Sequence, residues 1–95
     1  MKKYMKKPLV IQACEIPHPM ESLNYMEDML ALLDWMREHG VKFSYKANRD
    51  GATEVFVETL EGQMRGKSGD FIIRGIKGEF YPCAGEIFRD SYQEA

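Results

Sequence analysis

The sequence predicts an α+β fold: one long amphipathic helix packed on an antiparallel sheet of about five to six strands, closed by a short C-terminal helix. Three observations carry this. Leu and Met step by three and four along residues 21–39, the spacing that lines one face of a helix. Short runs rich in Val, Ile, Phe and Tyr follow, parted by Gly-containing turns at 48–51, 61–62 and 77–78, which reads as strands in two β-hairpins. Glu86–Tyr92 then returns to a helical pattern. Ninety-five residues suit one domain with a modest core, and no repeat or linker divides residues 1–95.

In chain order, Lys2, Lys3, Lys6 and Lys7 form the densest positive patch. Residues 1–7 read as a frayed basic N-terminus, or alternatively as an arm for phosphate or an acidic protein. Pro8 opens a strand, Leu9–Ile16, with apolar residues on both faces, a pattern that belongs inside a sheet. Pro17-His18-Pro19 ends it. In the helix, Leu23, Met26, Leu30 and Leu33 form the stripe, and Met29, Leu32 and Met36 widen it. Ser22 is the expected N-cap and His39-Gly40 the stop. Glu27, Asp34 and Glu38 make an acidic outer strip relieved by Arg37, while Trp35 suits either a core edge or an interface. Val41, Phe43, Tyr45 and Ala47 alternate with Lys42, Ser44 and Lys46 as a half-exposed strand.

The two hairpins can be read in register. Around a Glu61-Gly62 loop, Val55, Val57, Thr59, Met64 and Gly66 share a face, and Glu58 opposes Arg65 as a solvent-side ion pair. Phe56 and Leu60 fall on the outer side, which calls for a second layer, an oligomer or a partner. Around Lys77-Gly78, Ile76 faces Glu79, Gly75 faces Phe80, Arg74 faces Tyr81, Ile73 faces Pro82 and Ile72 faces Cys83. This assigns Phe71, Ile73, Gly75, Phe80 and Pro82 to the core. The mixed face, with Arg74 beside Tyr81 and Ile76 beside Glu79, has the composition of a binding hot spot. Pro82 falls at a pair that needs no N–H, which marks residues 79–83 as an edge strand.

The same residues carry a resemblance. Residues 69–83, GDFIIRGIKGEFYPC, followed by EIF at 86–88 and Tyr92, resemble the C-terminal signature of a family of small phage and prophage proteins. Lys6, Lys7, Pro8, Val10 and Ile11 resemble its usual start. The match is specific over residues 53–92 and thin over 5–12. Ser68 stands where the family often has Pro, and Ala84-Gly85 where it often has Lys-Pro. The resemblance implies a phage origin and transfers no catalytic residue.

The chemistry inventory is short. His18 and His39 lack spaced Cys or carboxylate partners, so no zinc pattern is present, and no cofactor is implied. Cys83 has no base nearby in sequence and reads as a structural thiol; Cys14 and Cys83 are expected reduced. Gly66–Asp70 has the composition of a phosphate loop without its spacing. The start lacks the apolar segment of a signal peptide, so the host cytoplasm is the expected location, with no membrane partner. A net charge of −2 argues against a nucleic-acid binder that uses its whole surface.

The expectation is therefore a non-enzymatic, phage-encoded accessory protein that binds and inhibits a host protein such as a defence effector. Its expected site is Arg74, Ile76, Lys77, Glu79 and Tyr81. One alternative is a sponge for a small nucleotide signal, held by Arg74, Lys77 and Tyr81 between protomers of a homo-oligomer. The other is single-strand nucleic-acid binding through the lysine-rich start.

Overall fold

The computed structural model describes residues 1–95. The elements are β1 (Gln12–Glu15), α1 (Tyr25–Glu38), β2 (Phe43–Ala47), β3 (Thr53–Thr59), β4 (Gly62–Lys67), β5 (Phe71–Arg74), β6 (Phe80–Cys83) and α2 (Gly85–Ser91). The class is α+β, but the strands form two antiparallel three-stranded sheets, ordered β1-β5-β6 and β2-β3-β4, not one. Edge strands β4 and β6 meet by packing without a ladder. Pro82 has no N–H to give, and a Cβ on Gly66 would stand 3.0 Å from both Pro82 Cβ and Ile16 Cδ1.

One core joins the two sheets. Met29, Leu32, Leu33 and Met36 of α1 pack with Val55 and Val57 of β3, Ile72 of β5, Phe80 of β6 and Ile16. The helical stripe is rotated from the expected one: Leu23, Met26 and Leu30 are exposed. Leu23 precedes the helix, so it cannot extend the stripe. The N–H groups of Glu21 and Ser22 are taken by the carbonyl of His18, which delays the start of α1 to Tyr25. Ser22 is not the cap; its hydroxyl donates to Asp28 Oδ2 at 2.8 Å. The stop is as expected, with Gly40 at φ 71° and the Val41 N–H closing on the Met36 carbonyl.

The first strand corrects another expectation. Only Gln12–Glu15 pairs, and β1 lies at an edge, with Leu9 and Val10 left exposed. A run with apolar residues on both faces did not have to be central, because its first half is not in the sheet.

The hairpins show why register decides faces. In β3–β4 the loop is Leu60-Glu61, Val57 opposes Met64 and Val55 opposes Gly66, a slip of two residues from the expected pairing. Thr59 sets it, its hydroxyl accepting from the Glu61 N–H and donating to the Gly62 carbonyl. A slip of two preserves the faces, so Val55 and Val57 are buried as expected. The Glu58–Arg65 pair is lost with it: Arg65 lies 3.9 Å from Glu54, and Glu58 accepts from Gln63. Phe56 stays half-buried without a second layer, with Lys46 Nζ 5.8 Å from its ring centroid.

In β5–β6 the slip is one residue. Arg74 opposes Phe80, Ile73 opposes Tyr81, Ile72 opposes Pro82 and Phe71 opposes Cys83. The loop has three residues, Ile76–Gly78, closed by bonds from Gly75 N–H to the Glu79 carbonyl and from Gly78 N–H to the Gly75 carbonyl, with Gly78 at φ 82°. Glu79, not Phe80, covers the bare backbone of Gly75, where a Cβ would overlap its carboxylate. A slip of one exchanges faces. Ile72, Arg74, Phe80 and Pro82 now share the inner face, and Phe71, Ile73, Tyr81 and Cys83 the outer. The outer face is covered too: Phe88 of α2 stacks on Phe71 at 3.9 Å and Tyr92 on Phe88 at 5.0 Å. Ile87, on the other side of α2, is exposed. Pro82 stays at a pair that needs no N–H, and β6 is an edge.

Ser68 ties the sheets to the loop before α1. Its N–H donates to the Thr53 carbonyl, its Oγ accepts from the Thr53 N–H at 2.8 Å, and its hydroxyl reaches the Pro17 carbonyl at 2.9 Å. Thr53 is 1% exposed, so Ser68→Ala leaves its N–H buried and unpaired. The expected loss is about 1–3 kcal/mol in urea unfolding.

Candidate binding groove

Glu58, Thr59, Leu60, Glu61 and Met64 at the β3–β4 tip face Glu79, Phe80 and Tyr81 at the start of β6 across a cleft of about 640 Å³. The sequence places the two sides here for different reasons. Thr59 fixes a tight turn that throws Leu60 outward, and Leu60 is fully exposed. The three-residue loop holds Glu79 back against Gly75, where its carboxylate accepts the Lys77 N–H at 3.0 Å. Leu60, Met64 and the edge of Phe80 are its apolar lining. Three of the lining residues are acidic, Glu58, Glu61 and Glu79, and none is basic. Because Tyr81 bonds to β5, the backbone of Phe80 points away from β5 along the open edge.

The expected site residues divide. Glu79 and Tyr81 line the groove. Arg74 does not join them: it lies on the inner face opposite Phe80, donates to Gln12 Oε1 at 3.2 Å, and its buried Nε has no partner. The Arg74–Tyr81 stack is thus undone by the one-residue slip. Ile76 and Lys77 are exposed at the loop tip. From α2, Arg89 reaches across to Glu15 at 3.6 Å. Leu60 and Glu61, expected on an outer face and in a turn, belong to the groove, and the signal for them is an outer-face Leu close to Glu58 and Glu61.

A second cleft, of about 610 Å³, is lined by Cys14, Glu15, His18, Glu21, Ser22 and Asp28 among others. Several of its groups are engaged. His18 Nδ1 accepts from the Met20 N–H, and Asp28 accepts from Ser22. Burial pushes the Cys14 thiol up, and the carboxylates of Asp28 and Glu15 add to it, so the thiol stays protonated at neutral pH. Burial also raises Cys83, with Asp70 contributing, and Tyr81, with Tyr92 next. Both cysteines are free thiols. No cluster of His, Cys, Asp or Glu is placed to hold a metal ion, and no helix is long and apolar enough to cross a membrane.

Compared with known protein families, curated proteins and solved structures, the chain matches none.

Proposed function

We propose that the chain acts by binding, without catalysis, and that the groove between the hairpin tips takes a basic, apolar-anchored segment of a host protein, blocking that protein while bound. The observation that carries this is a cleft lined by the exposed apolar side chains of Leu60 and Met64, by three glutamates and by no basic residue. An apolar anchor seated on Leu60, Met64 and Phe80 would contribute about 1.5–3 kcal/mol, whereas each ion pair with a glutamate adds less than about 1 kcal/mol and mainly steers encounter and selects for positive charge. The resemblance to small phage and prophage proteins supports a target in the host cytoplasm, for which a defence effector is the fitting kind. A nucleotide sponge is the weaker reading. Its cation and aromatic stand on opposite faces of β5–β6, and the lining carboxylates oppose phosphate.

The test is capture from host extract with the tagged protein and with its Glu58→Lys/Glu61→Lys variant, followed by calorimetric titration of the captured protein. Both glutamates are exposed and outside the core, so the variant should melt like wild type. It should lose the partner, and Leu60→Asp should weaken the titrated affinity at least tenfold. Wild-type affinity should fall as salt rises. Tight nucleotide binding, or capture indifferent to the groove charges, would overturn the proposal.

A further inference from the structure

The chain carries its own candidate ligand for such a groove. Residues 1–10 are exposed throughout, and the first seven combine Lys2, Lys3, Lys6 and Lys7 with Tyr4 and Met5, each 90% exposed. The segment stands off the domain: the molecule measures 50 × 26 × 22 Å, and its radius of gyration is 14.4 Å against about 12 Å for a compact chain of this length. It offers four positive charges around two apolar side chains. The groove is lined by three acidic residues together with Leu60, Met64 and Phe80. The two are opposite in charge, and each sets its charges among apolar side chains.

Connectivity directs the arm to another molecule. It leaves from β1, at one edge of its sheet, while the groove lies along β6 at the other, with β5 between. To fold back, the chain would have to reverse within Pro8-Leu9-Val10-Ile11. Pro8 holds Lys7 extended, and the β-branched residues after it are poor turn formers. Extended, the eleven residues before β1 reach about 36 Å, enough to cross to a neighbour. We propose that the arm, residues 1–7, docks in the acid-lined groove of a second copy, reciprocally, giving a weak two-fold dimer in which each groove is occupied by the partner's lysines. This rests on the groove being a binding surface, and it sets the arm in competition with the host segment proposed above.

The test is sedimentation velocity over a range of concentrations, with a charge exchange between arm and groove. Wild type should dimerise as concentration rises at about 50 mM salt and weaken at least tenfold at about 500 mM, since the contact is made by exposed charges. Lys2, Lys3, Lys6 and Lys7→Glu together should give a monomer, and this variant alters only residues outside every helix and strand. Glu58→Lys/Glu61→Lys should also be monomeric. Mixed in equal amounts, the two should form a heterodimer, each arm meeting a groove of opposite sign. A wild type that stays monomeric overturns the proposal. So does an arm variant that dimerises like wild type, or an arm bound within its own molecule without a change in mass. Loss of host-protein capture by the groove variant, with no wild-type dimer, overturns the arm exchange alone and leaves the proposed function standing. Arm exchange with capture indifferent to the groove charges does the reverse.

Discussion

Phe80→Ala is expected to cost about 3–5 kcal/mol in urea unfolding, a large share of the 5–15 kcal/mol that holds a typical domain together. Phe80 is 7% exposed and closes the core where α1 meets β6. Trp35 packs edge-on at 4.9 Å between ring centroids and His39 lies at 5.5 Å, its Nδ1 against the Trp35 carbonyl. Truncation removes the transfer free energy of the ring and leaves a cavity between two elements fixed by other contacts, Met36 on the helix and Ile72 on the sheet. The aromatic pair adds about 0.5–1.5 kcal/mol to the loss. A loss under about 1 kcal/mol would mean that Phe80 is not a core residue. Because Phe80 also lines the groove, the variant should lose binding as well, so Leu60, fully exposed, is the position that separates binding from folding.

The same residue shows how far the sequence could be read. Phe80 lies on the face toward α1 in both the expected and the observed register, while Ile73 changes face and stays buried because the outer face is covered as well, by α2. The composition of that strand pair is apolar on both sides, and composition was the only register signal available. What fixed the true pairing is a turn preference: Ile76-Lys77-Gly78 closes as a three-residue loop with Glu79 folded over Gly75. In β3–β4 the error of two residues was harmless, since Val55 and Val57 keep their face under any even slip. In β5–β6 an error of one parted Arg74 from Tyr81, and with it the expected site. The helix, the strand order along the chain, the edge character of β6 and the turn glycines were legible because each depends on neighbours in sequence. The division into two sheets was not, since it rests on Gly66 meeting Pro82 across sixteen residues. The groove was half legible, Glu79 and Tyr81 being among the expected residues and Leu60 and Glu61 being visible only as an unexplained outer Leu and a turn.

Gly85→Ala is the other substitution expected to act strongly, and it reports on the layer that the sequence placed last. Gly85 is buried at the first position of α2, and its N–H donates to Asp70 Oδ1 at 3.1 Å. A Cβ there would land on the backbone carbonyl of Gly69 and 2.9 Å from Arg89 Nη1. The arginine can swing away. The carbonyl cannot, because the Gly69 N–H is bonded to the Ile16 carbonyl and Asp70 is tied to Lys67 on both sides of the same turn. Alanine favours a helix over glycine by about 1 kcal/mol in a helix interior, and by less at its first turn, so the overlap outweighs the gain. To relieve the overlap α2 must move off the outer face, separating Phe88 from Phe71 and uncovering Ile73, which is 1% exposed. The expected loss is about 1–3 kcal/mol in urea unfolding, as for other overpacked sites. Hydrogen exchange localises it: the Phe88 and Tyr92 amides, bonded to the Ala84 and Phe88 carbonyls, should lose protection while those of α1 and β3 keep theirs. Unchanged protection in α2 with a loss under about 0.5 kcal/mol would mean that the helix is held by Phe88 and Tyr92 alone and that the close approach at Gly85 is incidental.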